Sequence, residues 1–140
     1  MTVRLREILE TSLYADDLEA AERFYADVLG LETISCVPGR HVFFRCGDRV
    51  FLVFNPARTL EGGRIPPHGA SGPGHAAFAV ADAELVEWRA RLAAHGVEVE
   101  MEVDWPGGGR SLYFRDPAGN SLELGTPAIW GIPEERIFRD

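Results

Sequence analysis

One internal repeat restricts the architecture of this chain more than any other feature. The run from Glu10 to Asp17 alternates like a strand and ends in an acidic turn, and the run from His75 to Asp82 has the same length and ends on the same residue, 65 positions later. Each acidic turn opens a helical pattern, with Leu18, Ala21, Phe24, Tyr25 and Val28 in one copy and Leu85, Val86, Trp88 and Leu92 in the other. Aspartate caps helices well because its carboxylate accepts orphan first-turn amides, so Asp17 and Asp82 are the expected N-caps. Gly30 and Gly96 stop the two patterns, where a left-handed residue costs little. Further on, Phe44–Val53 lines up with Phe114–Glu123 at an offset of 70, each reading as strand, tight turn and strand. A period this long is a duplicated module rather than a solenoid. The expected organisation is α+β, within one domain overall: a first module over 1–56, a linker over 57–74, a second module over 75–127 and a tail over 128–140. The Gly- and Pro-rich linker is expected to lack regular structure.

Alternation then assigns faces, since successive strand residues point to opposite sides. Leu9, Thr11 and Leu13 share one side of the first strand, and Glu10, Ser12 and Tyr14 the other. Ala76, Phe78 and Val80 oppose His75, Ala77 and Ala79, while Leu122 and Leu124 oppose Ser121, Glu123 and Gly125. The apolar sets belong under the helices. Glu10, His75 and Glu123 are therefore expected on a concave, helix-free face. Two carboxylates and an imidazole converging there need a compensating charge, and a divalent cation is the simplest one. Three protein ligands with open positions is the arrangement of a catalytic metal site. Two oxygen donors and one nitrogen suit Mn, Fe, Co, Ni or Zn.

The composition removes many other chemistries. All 14 basic residues are Arg, so Schiff-base, pyridoxal-phosphate and P-loop lysine chemistry are excluded. A formal net charge of −8 argues against nucleic acid as a partner. Nothing approaches the ~20 consecutive apolar residues of a membrane span, and the first ten residues lack an apolar leader core, so a cytoplasmic protein is expected. Cys36 and Cys46 have no CxxC spacing and are expected as reduced, packed thiols. None of the five serines sits in GxSxG.

Four stretches together resemble the vicinal oxygen chelate superfamily, the glyoxalase / bleomycin resistance / extradiol dioxygenase group. They are Leu13–Leu18, Phe24–Leu31, Gly74-His75 opening a strand, and Arg110–Leu124, and the resemblance runs from Ile8 to about Pro127. It implies two tandem βαβββ modules forming curved mixed sheets around a concave pocket, a homodimer, and one divalent metal ion held at the positions of Glu10, His75 and Glu123. Two departures stand out. Extradiol and fosfomycin-resistance enzymes carry His where this chain has Glu10, and glyoxalase I has a further ligand where this chain is read as having Val53. A valine cannot bind metal, which argues against a close glyoxalase I relative.

Other residues carry two readings each. Glu10 is a ligand or a solvated strand-edge carboxylate, and Tyr113, on the side of Ser111 and Arg115, is a substrate hydrogen-bonder or a half-buried strand tyrosine. Arg45 and Arg115 pair with acidic residues or anchor a substrate carboxylate. Ser12, Phe43, Val53, Trp105, Arg110, Tyr113 and Arg115 are the candidate substrate-binding residues, and Glu10, Glu123 and Tyr113 the candidate catalytic ones. His68, in the linker, is a lesser candidate for closing over the pocket. Trp130, Ile132, Ile137 and Phe138 of the tail are expected to cover the body of the protein or a partner subunit. The resulting expectation is a Lewis-acid metalloenzyme acting on a small molecule chelated through vicinal oxygens, of lyase, isomerase or transferase type. The alternatives are a metal-free, bleomycin-resistance-like binding protein and a ring-cleaving extradiol-type dioxygenase.

Overall fold

A computed structural model describes residues 3–139. The chain forms two compact units, one up to Ser71 and one from Gly72. Each is a four-stranded mixed sheet with helices. In the first unit the strands are β1 (Glu10–Tyr14), β2 (Glu32–Val37), β3 (His41–Cys46) and β4 (Arg49–Phe54), in the order β1-β4-β3-β2. In the second they are β5 (His75–Ala79), β6 (Met101–Asp104), β7 (Arg110–Arg115) and β8 (Ser121–Gly125), in the order β5-β8-β7-β6. The orders correspond strand for strand, with β1 parallel to β4 and β5 parallel to β8. The duplicated βαβββ architecture read from the repeat is present.

Helix α1 (Leu18–Arg23) starts as expected, with the Asp17 carboxylate accepting the Ala20 amide at 3.0 Å. It then widens into a π-helical turn over Phe24–Val28, in which Leu29 N donates to Phe24 O. That turn leaves the adjacent Phe24 and Tyr25, and Val28 beyond them, all buried. Tyr25 is fully enclosed, its ring centroid 4.9 Å from Phe51 and 5.5 Å from Phe44. Helix α3 (Leu85–Ala94) opens differently from the prediction. It follows a 3-10 turn over Asp82–Glu84, at whose start the Ala81 amide donates to the Glu84 carboxylate at 2.8 Å, and α3 itself carries no side-chain cap. Asp82 instead donates its own amide to the Glu134 carboxylate. Gly30 and Gly96 do adopt left-handed φ of 73° and 71° where the helical patterns stop. Leu85 and Leu92 of α3 join Leu112, Phe114, Leu122 and Leu124 in the core of the second unit.

Three expectations are corrected. The linker holds one helical turn, α2 (Pro56–Thr59), because Asn55 caps it and Pro56 is preset for the first helical position. Both cysteines are free, but Cys36 is exposed and Cys46 only half-buried. The third correction concerns Val53. Arg45 pairs with Val50 and Arg115 with Ser121, so the β7–β8 loop is one residue longer than its β3–β4 counterpart. Leu52 opposes Phe43 just as Glu123 opposes Tyr113. A one-residue slip reverses every side chain, and Leu52 is therefore the structural counterpart of Glu123. Val53 pairs with Leu13 and Val42 and is completely buried on the helix side, so it cannot line a pocket.

Candidate metal and substrate site

The second unit gathers its functional groups on the face away from α3. The register places His75 opposite Ser121, Ala77 opposite Glu123, Tyr113 opposite Glu123 and Ser111 opposite Gly125. Glu123 is buried, and its Oε1 lies 3.4 Å from Nε2 of the half-exposed His75. Each partner is also held from behind. His75 Nδ1 is 2.9 Å from the Ser121 carbonyl oxygen, which can only accept, so Nδ1 carries the proton. In the neutral ring Nε2 is then a lone pair aimed at a carboxylate oxygen. Two acceptors facing each other at this distance need a proton or a cation between them. Metal-to-ligand distances of about 2.1 Å put two ligands of one ion about 3.0–3.4 Å apart, which is the spacing observed. A metal-bound histidine also typically donates its other N–H to a carbonyl, as here. The donor pair fits a divalent cation.

The other oxygen of Glu123, Oε2, accepts the Ser111 hydroxyl at 2.5 Å, and Ser111 Oγ accepts the Trp105 indole N–H at 2.9 Å. Ser111 has no solvent exposure. Gly125 makes room for this arrangement, since a Cβ there would stand 3.1 Å from Oε2 and 3.2 Å from Ile129 Cδ1. The Tyr113 phenol interacts with both Ser111 and Glu123. Burial raises its pKa above the ordinary 10, the Ser111 hydrogen bond opposes the rise, and the Glu123 carboxylate adds to it. Tyr113 is thus a neutral donor through the physiological range. Because the native state holds this proton more tightly than the unfolded chain, stability should fall as pH rises past 10. The difference in 295 nm titration between parent and Tyr113→Phe should show a midpoint above 10, and a midpoint at or below it would remove the argument.

The loop before β8 aligns His75. Asp116 Oδ1 accepts the amides of Ala118 and Asn120, closing a tight turn. The buried Asn120 side chain then bridges, its Nδ2 donating to Asp116 Oδ2 at 2.9 Å and its Oδ1 accepting the Gly74 amide at 2.7 Å. Gly74 immediately precedes His75, so the turn ties down the start of β5.

The predicted residues divide as follows. His75, Glu123, Tyr113 and Trp105 come together in the second unit, around Ser111. Arg115 shares their face but is engaged by Glu100 at 3.0 Å and by the Gly119 carbonyl, the structural alternative. Arg110 has the parity of Leu112 and Phe114, away from the Glu123 face, where it pairs with Asp104 and Asp82 and lines a small cleft with Arg89 and Glu102. Glu10, Ser12 and Phe43 lie in the first unit on one sheet face with Tyr14 and Leu52. Phe43 stacks on His41 at 3.8 Å, and burial, with Arg40 adding, holds the His41 imidazole below 6.5. His68 also packs on this unit, its Nδ1 2.7 Å from the Tyr14 hydroxyl and its ring 4.7 Å from that of Phe54. Within the described residues of the second unit no third His, Cys, Asp or Glu joins the His75–Glu123 pair. In the tail, Ile129 packs by Gly109 and Gly125, whereas Trp130 is 80% exposed. Sequence reasoning missed the roles of Ser111 and Asn120; the parity of Ser111 with Tyr113 was the available signal.

Residues 7–124 match the profile of the Glyoxalase/Bleomycin resistance protein/Dioxygenase superfamily. The structure of lactoylglutathione lyase from Agrobacterium tumefaciens is 48% identical in sequence and superposes with a TM-score of 0.87, over 90% of this chain and 97% of that one. That similarity is greater than the missing first-module ligand suggested. Glutathione transferase FosA of Serratia marcescens is 31% identical over 121 residues, 86% of this chain and 80% of that protein. A glyoxalase/bleomycin resistance protein/dioxygenase from Nocardioides is 26% identical with a TM-score of 0.72, over 89% of this chain and 85% of its own.

Proposed function

The chain belongs to the Glyoxalase/Bleomycin resistance protein/Dioxygenase superfamily, and from that premise we propose that it is a metal-dependent enzyme whose substrate is a small molecule chelated through two neighbouring oxygens. The observation that carries the reading is the His75–Glu123 pair, with Nε2 and Oε1 3.4 Å apart and their remaining polar atoms already engaged. His75 Nε2 and Glu123 Oε1 would hold the ion. A divalent cation bound there supplies Lewis-acid polarisation of a substrate oxygen.

The remaining chemistry falls to the chain itself. Tyr113, kept neutral by burial, donates a hydrogen bond to a substrate oxygen, preorganised before charge develops there. Glu123 is the carboxylate available to take or return a proton beside that oxygen. The relatives direct the choice of substrate class. Both lactoylglutathione lyase and glutathione transferase FosA are named for glutathione, and a lactoyl thioester carries a carbonyl and a hydroxyl on adjacent carbons, the oxygen pattern a chelating ion needs. We therefore place thiol adducts of the glutathione type first, in a lyase, isomerase or transferase reaction, with the chain acting as a homodimer.

The test combines metal content and turnover. Protein purified without chelators should carry near-stoichiometric Mn, Fe, Co, Ni or Zn by plasma mass spectrometry, and a Glu10→Ala, His75→Ala, Glu123→Ala triple variant should carry none. The loaded protein should interconvert S-lactoylglutathione and its isomer, the hemithioacetal of glutathione with a 2-oxoaldehyde, or transfer glutathione to an electrophile. Absence of metal from the parent even after reconstitution, together with stoichiometric ligand binding without turnover, would turn the reading towards a binding protein.

A further inference from the structure

We infer that Trp105 and Ser111 are positioning residues that fix which oxygen of Glu123 is offered to a cation, an inference that rests on the metal-site reading above. The direction of the hydrogen bonds is set by chemistry. An indole N–H donates and cannot accept, so in the Trp105–Ser111 contact at 2.9 Å the serine oxygen must be the acceptor. Ser111 has one proton, and with Trp105 on its acceptor side that proton goes to Glu123 Oε2 at 2.5 Å, the length of a charge-assisted O–H···O bond. Without Trp105 only the Tyr113 phenol remains beside Glu123 to orient the hydroxyl. With it, Oε2 is committed and Oε1 is the oxygen left facing His75 Nε2.

The surroundings hold this arrangement rigidly. Ser111 is completely buried, and Gly125 leaves the space that Oε2 occupies. Trp105 opens the β6–β7 turn, its amide donating to Gly109 O at 3.0 Å and its carbonyl accepting Gly108 N at 2.9 Å. Gly109 itself is pressed against Ile129, whose amide nitrogen would lie 2.6 Å from any Cβ there. The turn therefore fixes the Trp105 backbone, and the bond to Ser111 holds the partly exposed indole. Trp105 acts through Ser111, which is different from serving as a pocket wall.

The chain has three tryptophans, so the indole N–H resonances of 15N-labelled protein are assignable by single Trp→Phe variants. In metal-free protein, Ser111→Ala and Glu123→Gln should each move the Trp105 resonance and leave those of Trp88 and Trp130 in place. Titrating Zn2+ and Co2+, Ser111→Ala should bind about 10–100-fold more weakly than the parent, and Trp105→Phe about 10-fold more weakly, the range for loss of an outer-shell partner. Trp88→Phe should match the parent, and unchanged circular dichroism confirms that each variant folds. If neither Ser111→Ala nor Glu123→Gln moves the Trp105 signal, the relay is overturned. Parental affinity in folded Trp105→Phe and Ser111→Ala overturns the positioning role while the metal site stands. If the parent binds neither ion, the metal reading fails, and coupling between Glu123→Gln and the Trp105 resonance alone decides whether the relay orients the carboxylate.

Discussion

Replacing Glu123 by Gln is expected to remove divalent-metal binding and turnover while leaving the fold as stable as before. The two halves of that expectation have separate causes. Glutamine has the same shape, its carbonyl can still accept the Ser111 hydroxyl, and its amide can donate to His75 Nε2, where the native pair sets two acceptors 3.4 Å apart. The metal-free variant should therefore melt at or above the parent temperature. Metal binding fares differently, because the substitution takes away both a ligand atom and the negative charge that compensates the ion. Loss of an outer-shell partner already costs about 10–100-fold in affinity, so loss of this ligand should exceed that range. Equilibrium dialysis against Zn2+, read beside a thermal melt of the apoprotein, separates the two. Full metal retention would end the assignment of Glu123. A large drop in melting temperature would instead mean that the carboxylate is chiefly structural.

How far the sequence was legible depended on the range of the interactions involved. The repeat and the period-two alternation are local patterns, and they placed Glu10, His75, Tyr113 and Glu123 on the correct strand faces. The same alternation puts Arg110 with Leu112 and Phe114, on the opposite face from Tyr113 and Glu123. Val53 was misplaced. Aligning the modules at a constant offset ignored one extra residue in the β7–β8 loop, and strand faces do not survive a shift of one. Capping chemistry was half legible. Asp17 and Asp82 stand at like places in the repeat, but only Asp17 caps, because a 3-10 turn intervenes before α3, which starts without a side-chain cap. The supports of the site were not legible at all. Ser111 reaches Glu123 across 12 residues and Asn120 reaches Gly74 across 46, so both bonds exist only once β5, β7 and β8 have paired.

Asn120→Ala is the substitution expected to cost most in stability near the site. It deletes two hydrogen bonds made by a side chain that is 2% exposed, the Gly74 amide to Oδ1 and Nδ2 to Asp116. Buried groups that lose such partners forfeit about 1–3 kcal/mol each, and more where one is a carboxylate, so a total of about 2–4 kcal/mol is expected. For a domain of this size that lowers the melting temperature by roughly 10 °C. Urea denaturation should show the same loss with an unchanged m-value. The variant should also weaken Zn2+ binding by about 10-fold, the low end of outer-shell effects, because Gly74 positions the residue that follows it. Gly74 O still accepts the Ser121 amide at 2.9 Å, and His75 Nδ1 still has the Ser121 carbonyl, so the loss should be partial. The contrast with Glu123→Gln is the informative part. One substitution should remove the metal and spare the fold, whereas the other should weaken the fold and only loosen the metal. If Asn120→Ala lowers the melting temperature yet binds Zn2+ like the parent, then β5–β8 pairing alone sets the His75 ring, and the β7–β8 turn serves stability without serving the site.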